Sequence, residues 1–492
     1  MIAHRSAVTL AVFLAALATL LLLPRLYRYG LDESGLIAND EAIYCEMARE
    51  MVTGGRLSET RYEGEIYFPR PPAAFWALAA ADALVGLEPP EHGLRVVTSV
   101  LPVVEVLLTV GLGWLLFSPL VGLLGGALLA TADLFVGYAR AFESEPLLTC
   151  FVLCAFCAWV GANRRPWLYV VYGLCLGGAL MTKQLIGLFP LAAPLVDAFL
   201  ALRGVRAKVG RGLLVGVAVA LVVALPWHLL MYARHGHRFV DSFFLQSLVT
   251  RARVSLLRRT TPAFYVVEMW TSERGPFVVW WLGASLLALW VGLRRARWGE
   301  LLLGGWALGP LLLYSMARSR YDYYILLSYP AFALSAAWCF EKLPLRSWLR
   351  GVLAVTLVLV SAVLHLPRNL TRNPGTSEQR TVLAAARDLP QDVPLYVFNL
   401  PPYVARVYTD RIVRVFVDTP DDVPAAEALR RSGMPAPAEL ATSAGAAMSL
   451  AQRPSLLLLP TSRFELVSAL PATEARLLSE SKRYRLYYLP RR

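Results

Sequence analysis

A chain of 492 residues with 57% hydrophobic residues, only 17% charged residues and a mean hydropathy of +0.51 is too apolar for a soluble protein of its size. It reads as a polytopic membrane protein. Its 48 Lys and Arg against 35 Asp and Glu would point to nucleic acid in a soluble chain, but here the basic residues sit in short loops between apolar runs, as topology signals do, so nucleic acid is excluded as a partner.

The first apolar run, in MIAHRSAVTLAVFLAALATLLLLP, follows a basic start and has no small-residue cleavage site before Pro24, so it is expected to remain as a helix. A span needs about 20 apolar residues. Candidate runs are roughly 7–23, 72–88, 95–117, 119–138, 146–162, 167–182, 185–202, 211–232, 276–293, 300–316, 323–340 and 349–366. The clear basic clusters are Arg164-Arg165, Arg203 to Arg211, Arg294-Arg295-Arg297 and Lys342 to Arg350. From a cytoplasmic N-terminus these all fall inside only if one run before residue 164 does not cross. The run 72–88 is the one to drop: it is short, follows Pro71-Pro72, carries Asp82 and ends at Glu88-Pro89-Pro90-Glu91, so it is expected to lie at the outer surface. The expected fold class is therefore an α-helical polytopic membrane protein with about 11 transmembrane helices, about 13 at the most generous count. Cys45, Cys150, Cys154, Cys157, Cys175 and Cys339 fall mostly inside apolar runs without companion histidines. They read as small buried side chains, with neither a disulfide framework nor a zinc site.

After about residue 367 the long apolar runs stop. Leu395 to Phe398, Ile412 to Val417, Ser455 to Leu459 and Arg483 to Leu489 read as strands, and Thr381 to Asp388 and Ala425 to Arg431 as helices. The expected domains are a transmembrane domain over 1–366, with outward loops 24–94 and 233–275, and a small extracytoplasmic α/β domain over 367–492. The latter either covers the site or contacts an acceptor, or is inert.

Every outward loop in this topology brings polar groups to the membrane surface. Asp40, Glu41, Tyr67 and Arg70 come from the first loop; Arg140, Glu143 and Glu145 from GYARAFESEPLL; Lys183 from LMTKQLIGL; Arg251, Arg253, Arg258 and Arg259 from FFLQSLVTRARVSLLRR; Arg318, Arg320, Tyr323 and Tyr324 from MARSRYDYYILLSYP. Ionisable groups next to hydrocarbon are costly and mark substrate sites. A snorkelling lysine is the plain alternative for Lys183, and lipid-headgroup contact for the arginines of 251–259.

Asp40-Glu41 is followed about thirty residues on by Tyr67, Arg70 and Pro71-Pro72. This resembles the first extracytoplasmic loop of the GT-C glycosyltransferases, which use polyprenyl-phosphate sugars, and within them the lipid A aminoarabinose transferase and protein O-mannosyltransferase group. Four further elements resemble that group in the same order: Arg140 with Glu145-Pro146-Leu147, Met181-Thr182-Lys183, Pro226-Trp227, and Ser319-Arg320 to Tyr324. The chain departs from it at Pro69, where a Glu is usual, and at Gln246-Ser247, where acidic residues or His are usual, so the resemblance implies neither aminoarabinose in particular nor a divalent metal. No metal and no cofactor is assigned.

What the resemblance implies is an inverting glycosyltransferase of the cytoplasmic (inner) membrane, with its site on the extracytoplasmic, periplasmic face. Its partners would be membrane lipids, a polyprenyl-phosphate (undecaprenyl-phosphate) sugar donor and a lipid A, glycolipid, glycan or protein acceptor. Asp40 would be the base, Glu41 and Glu145 would position the acceptor or the supporting cations, and Tyr67, Arg70, Lys183, Arg251, Arg320 and Tyr324 would hold the donor phosphate. Cations placed where the leaving charge develops are worth about 3 kcal/mol each in such reactions. The alternatives are protein O-mannosyl transfer, a carrier or flippase for an amphipathic anionic lipid, and an anchoring protein whose outer domain is the functional part.

Overall fold

The structure is a computed structural model that describes residues 23, 26–28, 36, 39–62, 65–87, 90–205, 210–250, 261, 263–370, 377–398, 400, 402–411, 413–417, 440–442, 454–461 and 475–490. The chain divides into two compact units. One comprises Met1–Tyr29, Arg70–Ala74 and Arg95–Arg372, and the other Gly30–Pro69, Phe75–Leu94 and Asn373–Arg492.

The first unit is a bundle of apolar helices. Seven described helices are long and apolar enough to cross a membrane, or up to eight if the bent pair Pro119–Thr131 and Asp133–Ala139 is one span. The candidate runs at 167–182 and 300–316 fall on the 15-residue helix Leu168–Thr182 and the 19-residue helix Trp298–Met316. The run 7–23 lies outside the described residues but for its last. Leu214, Val222 and Leu229 of helix Arg211–His235 are more than half exposed, an arrangement that suits lipid and not water. Inside the bundle, small residues let helices close in. A Cβ on Gly173 would come within 2.4 Å of the Gly216 carbonyl, and one on Gly177 within 2.6 Å of Val223, so helices Leu168–Thr182 and Arg211–His235 touch along a glycine face. Cys154 and Cys157 have C-x-x-C spacing on helix Ser144–Gly161, and all six cysteines are free thiols.

The bent pair turns by 68° at Ala132, which is extended (φ −65°, ψ 134°). Two features fix the bend. Thr131 Oγ1 bonds back to the Ala127 carbonyl (3.0 Å), which weakens the ladder. The freed Asp133 and Leu134 amides donate to the buried Glu273 carboxylate, each at 2.9 Å, and Tyr329 donates its hydroxyl to the same group at 3.1 Å. Burial raises the Glu273 carboxyl to about 7 against these bonds, which lower it.

The second unit holds helix Asn39–Gly54, a two-stranded hairpin of β1 (Arg61–Tyr62) and β2 (Glu65–Ile66), helix Ala73–Val85 from Phe75 onward, and the C-terminal α/β part. At 13 residues, Ala73–Val85 reaches about 20 Å, short of a hydrocarbon core of about 30 Å. The six-stranded sheet runs β5 (Leu440–Thr442), β4 (Val413–Val417), β3 (Leu395–Phe398), β6 (Ser455–Pro460), β8 (Tyr484–Leu489), β7 (Arg476–Glu480). The first four strands are parallel and the last two antiparallel. β3 and β6 are buried along nearly their whole length, as central parallel strands must be, which is why LYVF and SLLLLP are unbroken apolar runs. The described part of the 381–388 expectation begins earlier, as helix Ser377–Ala384, and 425–431 lies outside the described residues. Arg411 ties the turn before β3 together: its guanidinium donates to the carbonyls of Ala386, Leu389, Pro390 and Val393 at 2.6 to 2.9 Å.

Candidate active site

In the helical bundle, five of the expected residues lie at breaks between apolar helices. Glu145 stands in the first turn of helix Ser144–Gly161, with Pro146 where no intrahelical donor is needed and a carboxylate faces the helix's positive end. Lys183 follows helix Leu168–Thr182 in extended conformation (φ −150°, ψ 127°), and the chain then tightens into the 3-10 turn Leu185–Leu191. Gly187 permits that turn: a Cβ there would lie 2.5 Å from the Ala179 carbonyl. Gln184 has a negative φ of −30° and uses its side chain to donate to the Phe243 carbonyl at 2.9 Å.

These breaks bring opposite charges together. Lys183 forms an ion pair with Glu145, whose other oxygen accepts from Ser144 Oγ at 3.0 Å. Ser144 Oγ in turn accepts from Arg70 Nη1 at 3.1 Å. Arg70 and Lys183 thus grip one carboxylate from two sides, with a hydroxyl between. The Lys183 ammonium lies 4.2 Å from the Tyr324 ring centre and 6.0 Å from that of Tyr323, a cation over two aromatic faces. Burial lowers the Lys183 ammonium; Glu145 opposes this most, Arg70 adds to it, and Glu143 opposes it too. A lysine with that surrounding is no snorkelling side chain.

The loop before Glu145 is held from behind. Arg140 donates to the Tyr27 carbonyl at 3.0 Å, and Arg95 to the Arg140 carbonyl at 3.1 Å. Burial, helped by the Arg95 cation, lowers the Arg140 guanidinium to about 10. Arg320 is buried and donates to the Ser315 carbonyl at 2.9 Å; its charge and Tyr324 both act on the Tyr265 phenol, which burial raises. Arg318, by contrast, is exposed. Tyr324 packs on Tyr314 at 4.9 Å. Arg251 and the other arginines of 251–259 lie outside the described residues.

The other three expected residues belong to the second unit. Asp40 and Glu41 open helix Asn39–Gly54, the place where carboxylates meet free amides. Asp40 is half-buried and Glu41 fully buried, so of the two it is Asp40 that a substrate can reach. Tyr67 is fixed by a pair of bonds with Thr60: its amide donates to the Thr60 carbonyl at 2.8 Å, and Thr60 Oγ1 donates to its carbonyl at 2.5 Å. Its ring meets Phe75 edge-on at 6.4 Å. Ser144 was not among the expected site residues; its place between Arg140 and Glu145 was the only signal for it. Among the described residues no three His, Cys, Asp or Glu side chains converge as metal ligands.

Residues 69–230 match the family model of dolichyl-phosphate-mannose-protein mannosyltransferases. The chain is 25% identical over 369 residues to the undecaprenyl phosphate-alpha-4-amino-4-deoxy-L-arabinose arabinosyl transferase of Enterobacter sp. (strain 638), covering 71% of this chain and 65% of that one. It is 28% identical over 322 residues to the transferase of the same name from Pseudomonas aeruginosa PAO1, covering 61% of this chain and 55% of that one. The chain therefore spans between about half and two thirds of the length of the curated relatives it matches. Among solved structures, it superposes on ArnT from Cupriavidus metallidurans bound to undecaprenyl phosphate with a TM-score of 0.71 at 18% identity, covering 97% of this chain and 98% of that one. The archaeal oligosaccharyltransferase AglB from Archaeoglobus fulgidus, in complex with an inhibitory peptide and a dolichol-phosphate, gives 0.60 at 11% identity, covering 92% and 71%. The chain is a multi-pass membrane protein with the GT-C fold. Within that fold it resembles the aminoarabinose transferase group.

Proposed function

We propose that this protein is an inverting glycosyltransferase that moves a sugar from undecaprenyl phosphate, or a similar polyprenyl phosphate, to lipid A or a related envelope acceptor. Its site would lie on the periplasmic face of the inner membrane. The observation that carries the reading is the cluster of Arg70, Ser144, Glu145, Lys183 and Tyr324 at the ends of apolar helices. Two cations beside hydrocarbon suit a lipid whose tail lies in the bilayer and whose phosphate sits at its edge. The relatives named for transfer from undecaprenyl phosphate, and the ArnT structure bound to that lipid, support the same donor class.

In this mechanism Arg70 and Lys183 bind the donor phosphate and stabilise the charge that grows on it as the glycosidic bond breaks. Arg320 and the hydroxyls of Tyr67 and Tyr324 add to that set. Asp40 accepts the acceptor hydroxyl's proton as its oxygen attacks the anomeric carbon; for an acceptor that is already an anion, such as a lipid phosphate, Asp40 orients it. Glu145 holds the cations in place in the absence of donor. With eleven spans and helix Ala73–Val85 at the outer surface, these loops would fall on one side of the membrane.

The test is sugar transfer by purified protein in lipid nanodiscs, from undecaprenyl-phosphate sugars to lipid A, read by mass spectrometry. Asp40→Asn is expected to lower transfer by about two to four orders of magnitude with donor affinity intact. Scrambling of the donor lipid without transfer, at the same rate in Asp40→Asn, would replace this reading with a lipid carrier.

A further inference from the structure

The second unit joins two stretches that are far apart in the chain. Helix Tyr403–Thr409 of the C-terminal α/β part lies against helix Asn39–Gly54 of the first loop. Three contacts line that seam. The Leu36 amide donates to Tyr408 Oη at 2.9 Å, Arg406 Nε donates to Glu46 Oε1 at 3.2 Å, and Arg49 pairs with Asp410 at 3.7 Å. Two more flank it: Tyr403 meets Tyr62 edge-on at 6.0 Å, and Arg380 pairs with Glu91 at 2.6 Å.

The contacts differ in what they can do. Arg49 with Asp410 is an exposed pair, the latter side chain 59% accessible, and exposed pairs hold little. Glu46 and Arg406 are 4% and 15% accessible, so loss of either strands a buried charge. Arg406 is itself anchored, since its Nη1 donates to the Arg411 carbonyl at 3.2 Å, and Arg411 is the residue that gathers four carbonyls of the preceding turn. Burial raises the Glu46 carboxyl and the Arg406 cation draws it back down. The bonds to Leu36 and Glu46 bracket Asp40 from both sides of the sequence. Six residues of helix put Asp40 about 9 Å from Glu46, close enough for a tilt of the helix to move its carboxylate.

We infer that Arg406 and Tyr408 are positioning residues for Asp40, so that the C-terminal domain sets the place of the carboxylate through the seam between helices Tyr403–Thr409 and Asn39–Gly54. This rests on the proposed transferase reading only in giving Asp40 its task. A displacement of 1 Å at a catalytic group is enough to cost about a hundredfold in rate.

The experiment uses the full chain in nanodiscs and two readouts: kcat with donor affinity, and the alkylation rate of an Asp40→Cys variant by a membrane-impermeant maleimide. Arg406→Ala is expected to lower kcat by about 10- to 100-fold with the donor dissociation constant within about twofold of wild type. Arg406→Lys should recover part of that loss, and Tyr408→Phe, which keeps the ring, should lower kcat several-fold. In the Asp40→Cys background Arg406→Ala should change the alkylation rate at least threefold. Adding Glu46→Gln to Arg406→Ala should cost little more than Arg406→Ala alone, because both act through one contact. Wild-type kcat and an unchanged alkylation rate in the milder, folded variants Arg406→Lys and Tyr408→Phe as well as in Arg406→Ala would overturn the inference. A wild-type protein that transfers no sugar, while its alkylation rate still responds to Arg406→Ala, would sink the transferase reading and leave the positioning intact.

Discussion

Glu145 and Lys183 should shift the affinity for donor phosphate in opposite directions. Arg70, Lys183, Glu143 and Glu145 carry two positive and two negative charges, a set that is neutral in the absence of donor. Glu145→Gln keeps the side chain's shape and the bond from Ser144, but leaves the set with a net +1. Lys183→Ala leaves it at −1. A donor phosphate bound by Lys183 and placed about 6 Å from the Glu145 carboxylate would be repelled by about 3 kcal/mol at an effective dielectric of about 20. Relaxation of the two cations and water entry reduce this to about 1 to 2 kcal/mol, or roughly 5- to 30-fold in affinity. Glu145→Gln should therefore bind undecaprenyl phosphate more tightly by about that factor, while Lys183→Ala weakens it by about 10- to 100-fold. The unliganded variant carries the opposite cost. Lys183, its side chain 14% accessible, loses its counter-ion, so the thermal midpoint of Glu145→Gln should fall and added lipid phosphate should restore it by mass action. The assay is titration of undecaprenyl phosphate into detergent-solubilised protein, followed by microscale thermophoresis and by thermal unfolding. Binding by Glu145→Gln as weak as that of Lys183→Ala would refute the charge argument and make Glu145 itself a contact of the donor.

Arg70→Ala should weaken donor binding and turnover together, because the phosphate is charged in both the ground and transition states, while Arg70→Lys, which keeps the charge but not the guanidinium whose Nη1 donates to Ser144, should be milder; titration and kcat/KM on the same preparations check this. Single cysteines placed at Gly86 and at Arg295 should react with an impermeant maleimide from opposite sides of the membrane, and labelling of both from one side would overturn the eleven-span topology. Burial holds the Asp82 carboxyl at about 7 in the fold, against about 3.9 in an unfolded chain. The unfolded chain gives up that proton first, so Asp82's own contribution to stability should be fully present below about pH 4, be lost as the pH rises to about 7 and stay level above it; Asp82→Asn should remove that part of the profile of thermal midpoint against pH.

The membrane helices and the charged breaks between them are legible because each break is a local event, a Lys or Glu interrupting a long apolar run, as at Lys183 and Glu145. The central strands of the C-terminal sheet are legible for the same reason: LYVF and SLLLLP are short apolar runs between turn residues. Long-range polar contacts leave no such mark. Glu273, which holds the 68° bend through two amides 139 and 140 residues away, reads in sequence as an ordinary acid in TSERGP. Glu46 and Arg406 are 360 residues apart, and both residue types are common on exposed helix faces. The edge strands β5 and β7 escaped because LAT is only three residues long and the half-exposed RLLSE alternates too weakly to separate from a loop.

The two compact units also divide the proposed chemistry. The cations and their carboxylate, Arg70, Lys183, Arg320 and Glu145, belong to the helical bundle, while Asp40, Glu41 and Tyr67 belong to the unit built with the C-terminal domain. A group that meets the donor phosphate acts on binding and on the transition state alike, whereas a base acts only as the acceptor's proton leaves. Substitutions should therefore sort by unit: those in the bundle move the donor dissociation constant, and those at Asp40, Arg406 and Tyr408 move kcat alone. Tyr67 is the sharpest case, because its hydroxyl is assigned to the phosphate while its backbone is fixed by Thr60 in the carboxylate's unit. Tyr67→Phe keeps the edge contact with Phe75 and removes only the hydroxyl. A several-fold loss of donor affinity would assign Tyr67 to the phosphate despite its unit; a fall in kcat with affinity unchanged would place its hydroxyl with the carboxylate instead.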